Sequence, residues 1–202
     1  MQDTAVVCAL PTPDSALPAR ERLLDAASRL FCRFGINAVG VDAVVAEAGT
    51  AKATLYKTFG SKEHLVEAVL EREGRIWRDW FIGALDAGDA APLDRLRRIF
   101  PLLGQWFAEE RFYGCPFINA IGEHDKNEDR LRTITIAHKT AVLKRIEDLP
   151  RVAGAPDPHT LAHQLGLLID GAIVVAMITR DPKAATLAAG TAEQILLLMT
   201  AR

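Results

Sequence analysis

A short segment of this chain concentrates side chains that suit a nucleic-acid duplex. Lys52, Thr54, Tyr56 and Lys57 lie close together in the sequence. Lysine ammonium groups neutralise backbone phosphates, and hydroxyl groups form hydrogen bonds with phosphates and base edges. These residue types therefore indicate a DNA-binding surface, although any one of them would equally suit an ordinary solvated surface.

Two short helices are predicted to hold these side chains. The first has an apolar face at helical spacing, formed by Val41, Val44, Val45 and Ala48. Gly49 is expected to end it, because glycine adopts the left-handed conformation at little cost. The second helix has Leu55 and Phe59 four residues apart on one face. Its other side is then available to the lysines and hydroxyls.

Residues 20–70 resemble the tetracycline-repressor (TetR) family of bacterial transcription regulators. The resemblance rests on three motifs in order: LFCRFG, AEAGTAKATLYKTF and GSKEHL. It implies an all-α protein of about nine helices, with an N-terminal three-helix helix-turn-helix DNA-binding domain and a C-terminal helical ligand-binding and dimerisation domain. Beyond residue 70 the likeness is confined to the helical layout and two long apolar segments near the C-terminus.

The resemblance also implies which residues contact DNA. They are Gly40, Val41, Thr50, Lys52, Ala53, Thr54, Tyr56, Lys57 and Lys62. Residues 52–54 match base-facing positions, whereas Tyr56, Lys57 and Lys62 match phosphate-contacting positions. Thr50 is expected to bond a phosphate or to cap the recognition helix, because Ala51 replaces the usual serine cap. Gly40 replaces a hydroxyl residue, so that only backbone N–H groups are left to hold a phosphate there.

Helical periodicity predicts seven further helices. Ser61 is expected to cap the fourth helix, and the pairs Asp157-Pro158 and Asp181-Pro182 are expected to begin the last two. The predicted spans are 19–34, 61–82, 92–107, 115–123, 128–149 and two final helices that begin at 158 and 182. The predicted organisation is a disordered leader over 1–17, a DNA-binding domain over 18–78 and an effector-binding and dimerisation domain over 79–202.

Composition agrees with a helical protein but does not reveal its partner. The 202 residues are 50% hydrophobic and 6% aromatic, and the net charge is only −2. Residues 18–65 contain seven Lys and Arg and five Asp and Glu. This small excess of positive charge is only weak evidence for a nucleic-acid partner. Three distant cysteines, with no signal peptide or membrane span, favour a reduced cytoplasmic chain.

The last two helices are predicted to form a dimer interface. Residues 165–178 are apolar on almost every side, interrupted only by Asp170. The last helix adds Leu187, Ile195, Leu196, Leu198 and Met199. A second copy would cover these surfaces in a four-helix interface, although burial within one protomer is the alternative. Two recognition helices related by a two-fold axis would then bind an inverted repeat of double-stranded DNA.

The resemblance implies a small-molecule effector that binds among helices five to eight and moves the fourth helix. The candidate lining residues are Trp106, Phe107, Phe112, Tyr113, Phe117, Asn119, His138, His163, Gln164 and Met177. Aromatic residues at helical spacing are more often core than ligand contacts. Taken as a pocket, this set would suit a mostly apolar, neutral ligand.

Enzyme chemistry finds little support in the sequence. There is no GxSxG, GxGxxG or phosphate-loop motif, and the HExxH pattern fails at Thr160, so no catalytic residue, metal or cofactor is predicted. The acidic residues Glu123 and Asp125 are expected to face water in a polar loop, and Cys115 is expected to pack at a helix start. The favoured function is a repressor released by an effector. The alternatives are a transcriptional activator and a helical small-molecule-binding protein that does not bind DNA.

Overall fold

The computed structural model describes residues 17–125 and 129–200, with side chains described to residue 198. In these ranges no residue is in a strand, so the predicted all-α class is confirmed. The helices are α1 (Ala19–Phe34), α2 (Val41–Glu47), α3 (Lys52–Phe59), α4 (Lys62–Asp86), α5 (Pro92–Arg97), α6 (Ile99–Phe107), α7 (Pro116–Glu123), α8 (Asp129–Val152), α9 (Pro158–Thr179) and α10 (Lys183–Thr200). The predicted leader, apart from residue 17, lies outside the described residues.

Helices α5 and α6 together fill the span of the single predicted fifth helix. Only Arg98 separates them, and counting them as one interrupted helix gives the predicted nine. Pro101 explains the interruption, because proline has no N–H and its ring clashes with the carbonyl four residues earlier, here that of Arg97. Arg98 N–H bonds to the carbonyl of Arg95 at 3.0 Å, which is the tighter spacing of a 3₁₀ turn.

Helix α1 has the predicted bounds, and most of its predicted apolar face is buried. Gly35 ends the helix with φ 88°, and its N–H bonds to the carbonyl of Phe31. Helical spacing places Phe34 on the same apolar face as Leu23 and Phe31 and so predicts its burial, but Phe34 is 54% exposed. It lies in the last turn of the helix, where the guanidinium of Arg33 covers its ring at 4.9 Å from the centroid.

The described residues divide into two compact units. The first covers the described parts of 1–77 and 115–135, and therefore includes α1, α2, α3, α7 and the first parts of α4 and α8. Its core contains Leu23, Leu24, Leu55 and Leu65, each at most 1% exposed. Residues 115–125 and 129–135, which the sequence assigned to the second domain, thus pack with the N-terminal helices.

A buried charged network joins α1 to α4 inside the first unit. Arg72 donates a hydrogen bond to Asp25 at 2.7 Å, and its guanidinium lies 3.6 Å from a carboxylate oxygen of Glu73. The hydroxyl of Ser28 donates to Glu73 at 2.7 Å. All four residues are buried. Such groups are rarely buried unless they are paired, and here each α1 residue finds its partner on α4.

The second unit covers residues 78–114 and the described part of 136–202. In it, α6, α9 and α10 contact one another. Asp157 caps α9 as predicted, because its side chain accepts a hydrogen bond from Thr160 N–H at 3.0 Å. Asp181 likewise accepts from Lys183 N–H at 2.9 Å, and α10 begins at Lys183, one residue after Pro182.

Helices α9 and α10 leave large apolar side chains in solvent. The exposed apolar residues are Leu167, Val175, Ile178, Leu187, Leu197 and Leu198. Leu196, which the sequence assigned to the same surface, is instead buried within the protomer. The side chain of Met199 lies outside the described residues. By length and composition α9 could also cross a membrane, but the core helix of a soluble protein meets the same criterion.

The cysteines differ in part from expectation. Cys115 is buried and immediately precedes α7, as expected for a packing residue. Cys32 is disulfide-bonded, so the prediction of a reduced chain is wrong at that residue. Spacing along the chain does not show which distant thiols meet in space.

Candidate nucleic-acid interface

Helices α2 and α3 form the predicted pair around a glycine turn. Gly49 adopts φ 58°, and the following Thr50 N–H bonds back to the carbonyl of Val45 at 3.0 Å. Both helices contact α1 and each other, and Leu55 of α3 is fully buried. The pair is therefore anchored by its apolar side, with the opposite side of α3 turned to solvent.

The solvent-facing side of α3, the α3 face, carries most of the predicted DNA-contacting side chains. It consists of Lys52, Ala53, Thr54, Tyr56 and Lys57. Four of these residues are exposed, including Tyr56 at 45%, whereas Thr54 is half-buried. The structure thus places side chains of the predicted types together on one short helix.

The first lysine of the α3 face is paired within the protein. Lys52 Nζ lies 2.9 Å from Oδ1 of Asp42 and 3.2 Å from Oδ2. The hydrogen bond and the attraction of the carboxylate both raise the pKa of Lys52. Asp42 is a first-turn residue of α2, which the sequence did not single out. A phosphate or base that binds Lys52 must therefore compete with this carboxylate.

The start of α3 differs from the expected capping arrangement. Ala51 is the N-cap residue, with φ −89° and ψ 149°, and among the described residues no side chain caps it. The hydroxyl of Thr50 is buried and forms no hydrogen bond within the described part of the chain. The prediction that Thr50 caps the helix is therefore wrong, because its hydroxyl accepts no hydrogen bond from the first N–H groups of α3.

Helix α2 begins directly after Gly40, again without a side-chain cap among the described residues. The carbonyl of Gly40 accepts hydrogen bonds from the N–H groups of Ala43 and Val44. The first N–H groups of any helix have no partner inside the helix. At Gly40 and Val41 the N–H groups of the backbone are thus without a partner inside the helix.

Lys62 is less exposed than the sequence suggested. It is half-buried, and its Nζ donates a hydrogen bond to the carbonyl of Ile36 at 2.7 Å. Ser61, as predicted, caps the same helix by accepting a hydrogen bond from His64 N–H at 3.2 Å. Lys62 therefore ties the start of α4 to the turn between α1 and α2.

Glu123 contacts that turn too, and the prediction that it faces water is wrong. Its carboxylate accepts a hydrogen bond from Asn37 N–H at 2.9 Å, and its backbone carbonyl accepts one from Asn37 Nδ2 at 2.7 Å. The residue ends α7, 86 positions beyond Asn37. Its neighbours in the sequence gave no sign of this contact.

Two segments of the chain match known protein families. Residues 23–69 match the family described as bacterial regulatory proteins, tetR family. Residues 92–192 match the family described as tetracyclin repressor-like, C-terminal domain. The chain belongs to the TetR family. It is accordingly a transcriptional regulator with a helix-turn-helix DNA-binding domain.

Individual members of the TetR family and related regulators show the same likeness. SCO4454, a TetR-family transcriptional regulator from Streptomyces coelicolor, is 29% identical with a TM-score of 0.82, covering 90% of this chain and 96% of that one. A regulator in the lacX 3' region of Lactococcus lactis subsp. lactis is 24% identical over 80% of this chain and 85% of its own. The HTH-type transcriptional repressor KstR2 of Mycolicibacterium smegmatis is 34% identical over 44% of this chain and 43% of its own.

The candidate effector residues of this TetR-family chain are only partly brought together. Trp106, Phe107 and Phe112 form an aromatic cluster with ring centroids 4.9–5.9 Å apart. The side chain of Met177 packs against Gly114, next to the half-buried Tyr113. Trp106 and Phe107 are buried, so within the protomer they act as core residues.

The other effector candidates belong to the first unit, are exposed on α9, or are buried beside Arg78. Phe117 and Asn119 belong to the first unit, whereas His163 and Gln164 are exposed on α9. His138 is buried, and the guanidinium of Arg78 lies 2.9 Å from its Nδ1. Burial, followed by the charges of Lys139 and Arg78, lowers the pKa of His138 to about 3. The imidazole is therefore neutral at ordinary pH and accepts the Arg78 hydrogen bond.

Proposed function

We propose that the protein is a homodimeric repressor that binds an inverted-repeat DNA operator and is released by a small-molecule effector. The observation that carries this proposal is the α3 face, where cations, a hydroxyl and a phenol project from a helix whose other side is anchored by Leu55. The helix is part of a TetR-family DNA-binding domain. Such a helix fits the major groove of a duplex.

The proposed contacts divide by the chemistry that each group offers. Lys52, Ala53 and Thr54 lie at the start of α3 and are proposed to contact base edges. The proposed phosphate contacts are made by Tyr56, Lys57, Lys62 and the backbone at Gly40 and Val41. Lys62 has three N–H donors and uses one on Ile36, so two are left for a phosphate.

The exposed apolar residues of α9 and α10 support the homodimer. Leu167, Ile178, Leu187 and Leu198 are between 72% and 80% exposed in a single protomer. Large exposed apolar patches mark interaction surfaces. Pairing α9 and α10 with the same helices of a second copy would cover them in a four-helix interface. Such a dimer would present two α3 faces to successive major grooves, about 34 Å apart.

The effector is proposed to bind in the second unit, near the cluster of Trp106, Phe107 and Phe112. The cluster is aromatic, which suits a mostly apolar, uncharged ligand. An effector that binds the DNA-released form more tightly would weaken operator binding about 5- to 150-fold at ordinary coupling energies. The similarity to the repressor KstR2 supports repression, and the proposed location is the cytoplasm.

A gel shift on the DNA upstream of the protein's own gene tests the proposal. We expect retardation at low salt, a footprint with two-fold symmetry, and reversal by one member of a metabolite library. Sedimentation of the free protein should show a dimer. A monomer that does not retard its upstream DNA even in dilute buffer would refute the proposed function.

A further inference from the structure

The turn between α1 and α2, residues 35–37, is held from two sides by residues distant in the sequence. From α7, Glu123 makes two hydrogen bonds with Asn37, at 2.9 Å and 2.7 Å. From α4, Lys62 donates to the carbonyl of Ile36 at 2.7 Å. Two consecutive residues of the turn are therefore restrained by polar contacts from other elements.

Gly35 allows the Glu123 carboxylate to lie directly against the turn. A Cβ atom built on Gly35 would lie 2.9 Å and 3.0 Å from the two carboxylate oxygens. The residue also adopts φ 88°, which favours glycine for a second, independent reason. The backbone and the carboxylate thus approach more closely than any other residue type at this position would permit.

The apolar packing beside this contact is incomplete. A cavity of about 20 Å³ is lined in part by Phe31, Ile36, Val69, Pro116 and Glu123. It could hold about one water molecule, and side chains that border a void lose dispersion contacts. Since apolar contacts are reduced there, the contact between α7 and the turn depends more on the hydrogen bonds between Glu123 and Asn37.

We propose that Glu123 is a positioning residue for DNA binding. By holding Asn37, it fixes the direction in which the chain enters α2. It thereby fixes the placement of α2 and of α3, which packs on α2 and carries the α3 face. No DNA contact is assigned to Glu123 itself. This role rests on the proposed operator binding, since only a DNA complex requires that the α3 face be placed accurately.

The charge of Glu123 makes the proposal distinguishable from a simple electrostatic effect. Removing an acidic side chain from a DNA-binding protein should strengthen binding to every duplex, because less negative charge then faces the phosphates. Loss of a positioning contact should instead weaken binding to the preferred sequence and leave random-sequence binding unchanged or slightly stronger. The two explanations therefore predict opposite signs.

The test compares Glu123→Ala, Glu123→Gln and Glu123→Asp with the wild-type protein. The probes are a duplex that the wild-type protein selects from a random library and an unselected duplex. Gln keeps an oxygen that can accept from Asn37, whereas Asp keeps the charge but is one methylene shorter. Because the hydrogen bond from Asn37 N–H to the charged carboxylate is lost, while the one to the backbone carbonyl is kept, Ala and Asp should weaken selected-duplex binding by about tenfold. Gln should retain binding close to that of the wild type.

Glu67→Ala is the matched control. Glu67 lies in the same unit and forms an ion pair with Arg130 of α8 at 2.8 Å, without a contact to residues 35–37 among those the structure gives. It should leave the preference for the selected duplex unchanged. Circular dichroism and thermal melting would confirm that each variant is folded. Hydrogen exchange of the Asn37 amide should be faster in the Ala and Asp variants than in the wild type.

Two results would overturn the role of Glu123 alone. One is a wild-type protein that selects a duplex while the Ala and Asp variants bind it equally tightly. The other is a Glu67→Ala variant that loses as much preference as Glu123→Ala. A wild-type protein that selects no duplex would instead refute the proposed operator binding, and the positioning role with it.

Discussion

Lys57 and Thr54 are three residues apart on α3, yet their proposed contacts have different consequences. Lys57→Ala should weaken binding to all duplexes and reduce the slope of log K against log salt by about 0.9 for each lysine that neutralises a phosphate. Thr54→Ala should relax preference at particular base positions and leave the salt slope unchanged. Titrations at several salt concentrations on selected and mutated duplexes would separate them. Equal loss on every duplex for Thr54→Ala would contradict a base contact.

Asp42 limits how strongly Lys52 can attract DNA. The carboxylate is 81% exposed and pairs with Lys52 at 2.9 Å. Asp42→Asn should therefore strengthen binding to random-sequence DNA and make the salt slope steeper, because one more cation per protomer is released to the phosphates. Glu47→Gln is the matched control. Glu47 lies on α2, as Asp42 does, and forms an ion pair with Arg29 of α1. Unchanged binding by Asp42→Asn at low salt would show that the pair does not restrain Lys52.

At the scale of residues, the sequence predicted side-chain types but not their partners. The exposure of Lys57 and Tyr56 follows from their helical spacing relative to Leu55, which a sequence shows directly. The pairing of Lys52 with Asp42 and of Lys62 with Ile36 depends on how separate helices cross. Such crossings join residues 10 and 26 positions apart, and periodicity within one helix does not encode them.

Between elements, the strongest stability prediction concerns the network that joins α1 to α4. Arg72→Met should lower the free energy of unfolding by about 3–5 kcal/mol, because Asp25 and Glu73 would remain buried without their cation. Denaturant unfolding measures this loss. Arg97→Met is the comparison, since it breaks an exposed pair with Glu193 and should cost at most about 1 kcal/mol. Equal losses for the two variants would contradict the argument from burial.

Helix ends were predicted better than helix contacts because end signals are local. The start of α9 at Pro158 and the cap at Ser61 follow from the residue types alone. The break at Arg98 shows the limit of periodicity, since the apolar pattern continues across a proline that removes a backbone donor. The packing of residues 115–125 and 129–135 with the N-terminal helices depends on distant contacts such as that of Glu123, which no local pattern reveals.

For the molecule as a whole, the proposed dimer predicts a specific response to charge. Leu187 is 75% exposed on α10, where a carboxylate would be buried without a partner in the four-helix interface. Leu187→Glu should therefore sediment as a monomer and lose cooperative binding to the inverted repeat. Val152→Glu changes an equally exposed residue, at 77%, at the end of α8 and should remain a dimer. A Leu187→Glu protein that stays dimeric would place the interface elsewhere.

His138 makes the stability of the second unit depend on pH. Its pKa of about 3 in the folded protein lies below the ordinary value of 6.5, so that the unfolded chain binds more protons between these limits. The free energy of unfolding should fall as pH decreases below 6.5, by up to about 1.4 kcal/mol per pH unit from this residue. His138→Gln, whose amide oxygen can accept from Arg78, should remove that component. Parallel pH profiles for the two proteins would contradict this assignment.

Because α9 and α10 leave leucines exposed to solvent, the stability of the folded protein should depend on its concentration. In the proposed dimer, each copy completes the hydrophobic burial of the other, so association contributes to the stability of both. Dilution should then lower the melting temperature. The protein at micromolar concentration should unfold at a lower temperature than the same protein at a hundredfold higher concentration. The stability of each protomer would therefore depend on the concentration of the protein, because at low concentration a protomer has no second copy to cover its exposed leucines.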